Sequence, residues 1–229
     1  MDPRTPALAA PTNDGSRTKR APRCPACWLP LGSCVCAELP RIDVATRVVI
    51  VMHHVEGRRA SNTGRLAAKI LGADVRLRGV RTDPTAPLPT EGHGSRPTEG
   101  PAARPMPEGR RIVLFPAESA RTLRPEDALS GPLVLVVPDG NWRQASRVIH
   151  RDEAAAGAEI VTLPPGPPSR YRLRKRHHDA ALSTFEAIAR ALAILEEPSI
   201  EGEMMRAFDL FVARTLALRG GIPAIGFED

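Results

Sequence analysis

Aromatic side chains are scarce in this chain: five Phe, two Trp and one Tyr amount to 3% of it. Ala, Val, Leu and Ile must therefore fill the core. The same scarcity makes Trp142 and Tyr171 conspicuous, because each stands in a polar stretch. No segment approaches the roughly 18 consecutive apolar residues of a membrane span, which argues against a membrane-embedded role. Residues 1–23 are rich in Pro, Thr and Arg and contain no apolar h-region, so they do not read as a secretory leader. They read as a disordered arm on a cytoplasmic protein. Acidic residues are outnumbered, 26 against 32 Lys and Arg, for a formal charge of +6. That balance suits a polyanionic partner such as nucleic acid, or simply a basic enzyme.

Cysteine is also rare, and its placement is uneven. All four cysteines fall within 24–36, as Cys24-x-x-Cys27 and Cys34-x-Cys36. Nothing marks the chain as secreted, so disulfides are not expected. Four thiolates satisfy tetrahedral zinc, and a two-residue gap is a common knuckle spacing. A redox pair or an iron–sulfur cluster is the alternative. Four protein ligands would leave no open position, so the metal would be structural. Trp28 either covers this small metal core or stacks on a base.

Beyond 24–40, hydrophobic periodicity predicts alternating strands and helices. Strands are expected at 47–52, 74–77, 111–115, 133–137 and 159–163. Helices are expected at 61–71, capped by Ser61 or Asn62 and ended by Gly72, and at 118–123, 142–156, 180–195 and 203–218. The alternation implies an α/β domain over 41–229: a mostly parallel sheet with helices on both faces. Residues 82–109, rich in Pro, Gly and Thr, read as a mobile insertion.

The most informative stretch is Pro138-Asp139-Gly140-Asn141-Trp142. It follows the apolar run 133–137, and a helical pattern begins at Trp142. A carboxylate, an amide and an indole thus sit where a strand ends and a helix begins. Open α/β sheets bind ligands at that edge. A basic run, Arg170, Arg172, Arg174, Lys175, Arg176, His177 and His178, would bind phosphates or else be a solvated loop. His53-His54 with Glu56 lacks an evident third metal ligand, since adjacent strand residues face opposite ways.

Taken together, the cysteine spacing, His54-Val55-Glu56 with Asn62-Thr63-Gly64, Leu114-Phe115-Pro116, the Asp139…Trp142 motif, Tyr171-Arg172-Leu173-Arg174 and Leu182-Ser183-Thr184-Phe185-Glu186-Ala187 resemble the DTW-domain family. The resemblance runs from about Cys24 to Leu195. It implies a fold related to the SPOUT methyltransferases, with a knot as one option. It also implies transfer of the 3-amino-3-carboxypropyl group of S-adenosylmethionine to a ring nitrogen of a tRNA uridine. Where the family's motif usually has Thr, this chain has Asn141.

Carried over residue by residue, the resemblance implies catalytic roles for Asp139 and Trp142. Donor contacts would fall at Pro116, Asn141, Leu173, Arg174, Ser183, Thr184 and Glu186. A neutral thioether leaves without acid assistance, while the imide proton calls for a base. Asp139 is either that base or a turn residue accepting backbone hydrogens. Trp142 either stacks on a base or anchors its helix. Ser183 and Thr184 would offer hydroxyls and helix N–H groups to the donor carboxylate, and Glu186 would take its ammonium. Each could equally be a helix cap. Arg170, Arg172, Lys175 and Arg176 would hold tRNA, with no obligate protein partner evident. A SPOUT-type methyltransferase and a non-catalytic zinc-dependent RNA-binding protein are the competing expectations.

Overall fold

The computed structural model describes residues 22–78, 105–173 and 181–220. Its strands are β1 Arg47–His53, β2 Asp74–Arg78, β3 Arg110–Leu114, β4 Arg121–Thr122, β5 Leu133–Asp139 and β6 Glu159–Thr162. Its helices are α1 Gly64–Leu71, α2 Trp142–Arg151, α3 Thr184–Leu195 and α4 Ser199–Leu218. The strands form one six-stranded sheet in the order β2-β1-β5-β3-β6-β4. Every pairing is parallel.

Side-chain alternation along each strand divides the core in two. Val48, Ile50 and Met52 of β1, with Leu133, Leu135 and Val137 of β5, face α1, α3 and α4. Val49, Val51, Val134 and Val136 face α2. Helices therefore cover both faces, as the alternation of elements implies. Both faces of β5 are apolar, so all seven of its residues are buried. The scarce aromatics are concentrated on one side: Phe185 of α3 stacks on Phe208 of α4 with centroids 5.1 Å apart, both fully buried. Truncating either to Ala would cost about 3–5 kcal/mol.

Several expected boundaries shift. The strand expected to stop at Val137 runs on through Pro138 and Asp139, because β1 pairs with it as far as Met52↔Asp139. β3 pairs with β5 only as far as Val136, so Pro138 lies beyond that ladder. The helix expected at 118–123 is replaced by the short strand β4 against β6. There Arg121 grips Asp127 and Glu159, and that ion network outweighs a weak helical pattern. α2 stops at Arg151 rather than 156, since Asp152 turns extended and caps the 3-10 turn Glu153–Ala155 through Ala154 N–H at 3.1 Å. α4 starts earlier than expected, directly after Pro198, a residue that suits a helix start. α1 ends at Gly72 as expected, with φ of 63°, a conformation glycine adopts at no steric cost. Most of the 82–109 insertion lies outside the described residues, as do 1–21 and the basic residues Arg174, Lys175, Arg176, His177 and His178.

Candidate active site

A cleft of about 1060 Å³ opens at the carboxyl end of β1 and β5. Three stretches wall it: Glu56 to Thr63 before α1, Asp139 to Arg143 between β5 and α2, and Ala181 to Thr184 at the start of α3, with Ser169 and Tyr171 below. In sequence these stretches lie far apart. The sheet order brings them together, because β5 inserts beside β1 and α3 returns over the same face.

Asp139 is the centre of this convergence. Its side chain is buried, Oδ2 accepting from Asn62 Nδ2 at 2.6 Å and Oδ1 from the Thr184 hydroxyl at 2.6 Å. Asn62 Oδ1 in turn accepts from the Arg65 N–H at 2.9 Å, which caps the first turn of α1. The carboxylate thus clasps the amino ends of α1 and α3 to the end of the central strand, and those helix ends favour negative charge. Gly64 makes the approach feasible: a Cβ there would lie 2.8 Å from Asp139 Oδ2.

The other anticipated residues fall into distinct positions. Trp142 opens α2 at the cleft mouth, 59% exposed, one side of its ring against Phe115 with centroids 4.7 Å apart. It anchors the helix and keeps an open face. Asn141 forms a capping box: its Oδ1 accepts from Gln144 N–H at 2.9 Å, and Gln144 Oε1 accepts from Asn141 N–H at 2.8 Å. Thr and Asn are both cap residues, so the departure from the family's Thr preserves the helix start.

Ser183 caps α3, accepting from Glu186 N–H at 3.3 Å. Phe185 N–H meets Thr63 Oγ1 at 3.4 Å. The helix N–H groups expected to receive a donor carboxylate are thus partly engaged within the protein. Glu186 is buried and does not line the cleft. Its Oε2 accepts from Ser169 Oγ at 2.7 Å and Ser183 N–H at 2.8 Å, and its Oε1 from Arg170 N–H at 2.7 Å. Glu186 thereby fastens the 169–173 loop to the start of α3. Leu173 is likewise a core residue whose carbonyl accepts from Arg219. Pro116 is exposed beyond β3 and outside the cleft lining. Arg170 pairs with Asp209, and Arg172 is exposed nearby.

Sequence reasoning underrated the 56–63 segment. Glu56 is buried in the cleft wall and paired with Arg59 at 3.2 Å. Asn62 supplies one half of the Asp139 clasp, and Thr63 Oγ1 accepts from the Phe185 N–H at the start of α3. Tyr171 holds the 169–173 loop against them by donating its hydroxyl to the Ser61 carbonyl. The available signal was a polar stretch, Ser61-Asn62-Thr63, soon after the apolar run of β1.

The four cysteine sulfurs lie within 4.8 Å of one another, with Cys24–Cys36 and Cys27–Cys34 each at 3.7 Å. A tetrahedral zinc with bonds near 2.3 Å has an edge of about 3.8 Å, so this set fits the ion. The separation is far too long for disulfides. Burial pushes the Cys24 thiol up, but hydrogen bonds from the Cys27 and Ala26 N–H groups and the Cys34 and Cys36 thiols bring it down to about 6. Trp28, in the left-handed region at φ 63°, is half-buried and packs under the Arg65 guanidinium at 4.9 Å. Arg65 Nη1 also donates to the Pro25 carbonyl at 3.1 Å. One arginine therefore ties the cysteine segment to the helix end that holds Asn62. Among the described residues the cysteines are the only group with metal-ligand proximity, and His53, His54 and Glu56 do not form one.

The profile of the DTW domain matches residues 21–216. A Drosophila melanogaster protein named tRNA-uridine aminocarboxypropyltransferase 2 is 27% identical over 192 residues, 82% of this chain and 72% of that protein. Its namesake in Macaca fascicularis is 26% identical over 216 residues, 85% of this chain and 67% of that protein. The Mus musculus protein of the same name is 27% identical over 184 residues, 78% of this chain and 58% of that protein. No solved structure matches.

Proposed function

This chain belongs to the DTW domain family, and from that membership we propose that it is a tRNA-uridine aminocarboxypropyltransferase using S-adenosylmethionine as donor, acting in the cytoplasm. The observation that carries the reading is the clasp of Asp139 by Asn62 and Thr184 at the floor of the cleft. The relatives' printed names supply the substrate class. The SPOUT relation and a knot belong to the same proposal; the bearing feature is β5 entering between β1 and β3.

The cleft's size and lining suit the ligands. A volume near 1060 Å³ is at the upper end of small-molecule pockets, enough for a nucleoside donor beside a flipped base. Carboxylates at Glu56 and Asp139 stand with guanidinium groups at Arg59 and Arg143, which fits a zwitterionic amino-acid arm. Trp142 offers a flat apolar face to adenine or uracil. The donor supplies a sulfonium-activated methylene, and the product side is methylthioadenosine. Arg59 and Arg143 would hold the arm's carboxylate and Glu56 its ammonium, so that the methylene rather than the methyl faces the uridine, an orientation effect. Asp139 would take the imide proton as the N–C bond forms and the C–S bond breaks. The cysteine cluster would carry structural zinc and take no part in the chemistry.

Asp139→Asn tests the base role. The amide can accept from Asn62 and donate to the Thr184 oxygen, so the clasp survives while proton acceptance is lost. The single-turnover rate at saturating donor and tRNA should fall by about 10²–10⁴ and recover in part as pH rises. A rate within about threefold of wild type would rule the base role out. The reaction class is read separately from small products: methylthioadenosine release supports it, S-adenosylhomocysteine would make the protein a methyltransferase, and neither would leave an RNA-binding protein.

A further inference from the structure

The solvent face of α2 carries a line of three cations, of which only the first, Arg143, also lines the cleft. Arg143, Arg147 and Arg151 recur at i, i+4 and i+8, and all are exposed. That spacing keeps them within an arc of about 80° and spreads them over about 12 Å of helix. The opposite face, Ala145 and Val148, is buried against the sheet, so the line cannot turn inward. His150 is exposed beside it.

Among the described residues, none of the three arginines forms an ion pair with a carboxylate. The acidic residues nearest in sequence are engaged elsewhere: Asp139, before Arg143, accepts from Asn62 and Thr184, and beyond Arg151 Asp152 pairs with Arg78 and Glu153 with Arg76, each at 3.5 Å. Arg170 is in the opposite situation, since Asp209 neutralises it and Asp209 also feels Arg172. The line has a direction as well. It begins at Arg143, which lines the cleft, next to the open face of Trp142 at the cleft mouth.

We propose that the outer face of α2, Arg143–Arg147–Arg151, is the track for the substrate RNA's phosphate backbone, delivering one nucleotide past Trp142 into the cleft. The inference rests on the tRNA-modifying reading above. Regularly spaced, uncompensated guanidinium groups suit a polyanion of regular spacing, and an aromatic at the end of the line suits a base leaving the stack.

The test is binding of total tRNA to the full-length protein across a salt series, for wild type, Arg147→Gln/Arg151→Gln and Arg147→Lys/Arg151→Lys. Each phosphate contact removed lowers the magnitude of the slope of log affinity against log salt by about 0.7–0.9. The glutamine pair should therefore flatten the slope by between about one and two and weaken binding at least about tenfold. The lysine pair should stay close to wild type, because point charge suffices for phosphate. An unchanged slope in the glutamine pair, or an equal loss in the lysine pair, would overturn the track. Failure of the wild type to bind tRNA would overturn the track and the tRNA reading together. Binding with the expected slopes but no aminocarboxypropyl product would remove the reaction class and leave the track standing.

Discussion

Asp139 depends on a side chain that is missing. The space its carboxylate occupies is the space a Cβ at position 64 would need, 2.8 Å from Oδ2 and 3.0 Å from Cγ. Gly64→Ala therefore sets two effects against each other. Alanine favours a helix by up to about 1 kcal/mol over glycine, here at the first residue of α1. It also pushes the carboxylate off Asn62 and Thr184. Thermal unfolding should remain within a few degrees of wild type while the single-turnover rate drops about tenfold or more, because a misplacement near 1 Å is costly to chemistry. Normal turnover in this variant would show that the carboxylate's position is unimportant. Asn141→Thr is the contrasting change: it restores the family's usual residue and keeps a cap, so turnover should be little altered.

At the scale of elements, β4 shows how charge can override pattern. Arg121 makes bidentate contact with Asp127 at 2.6 and 2.9 Å and reaches Glu159 of β6 at 2.6 and 2.7 Å. Arg110 adds a further contact to Asp127 at 3.3 Å. The Arg121 guanidinium, with Arg124 N–H and Arg110, holds the Asp127 carboxyl down at about 2 from an ordinary 3.8. A depressed carboxyl contributes stability that is complete above its unfolded value and is lost as pH falls through the folded one. The window here is pH 4 down to about 2. Asp127→Asn should lower stability near neutral pH by about 1–2 kcal/mol, allowing for screening at the partly exposed partners, and should flatten the acid limb between those values. Urea unfolding at several pH values measures both; a parallel acid limb in mutant and wild type would assign the pH dependence elsewhere.

On the scale of the whole molecule, the cysteine segment and the cleft are one packed body. Cys24, Cys27, Leu29 and Val35 belong to the same core cluster as α1, α3 and α4. Arg65 bridges from Pro25 and Trp28 to Asn62. Metal loss should therefore weaken the cleft as well as the cysteine loop. Reductively purified protein should contain about one zinc per chain. Chelation, or Cys27→Ser, should lower the unfolding temperature and the affinity for S-adenosylmethionine together. Metal-free protein with full stability and full donor affinity would contradict this coupling. No helix among the described residues is long and apolar enough to cross a membrane.

Local chemistry written in the chain determined much of this. The apolar runs specified the buried parallel strands, and Gly72 ended α1, because hydrophobic period and backbone sterics act over a few residues. The four clustered cysteines announced a candidate metal site by spacing alone, and Asp139 with Trp142 marked the strand end. What only the tertiary structure decided is who meets whom. A short motif cannot show that Glu186 and Ser183 are engaged with each other, or Glu186 with Ser169 and Arg170. Asn62 and Thr184 became partners of Asp139 because the sheet places β5 beside β1, joining residues 77 and 45 positions away in the chain. The uncompensated line on α2 is visible only once Asp152 and Glu153 are seen to be held by β2. Pairing between distant charges depends on fold geometry, and no local window of sequence carries it.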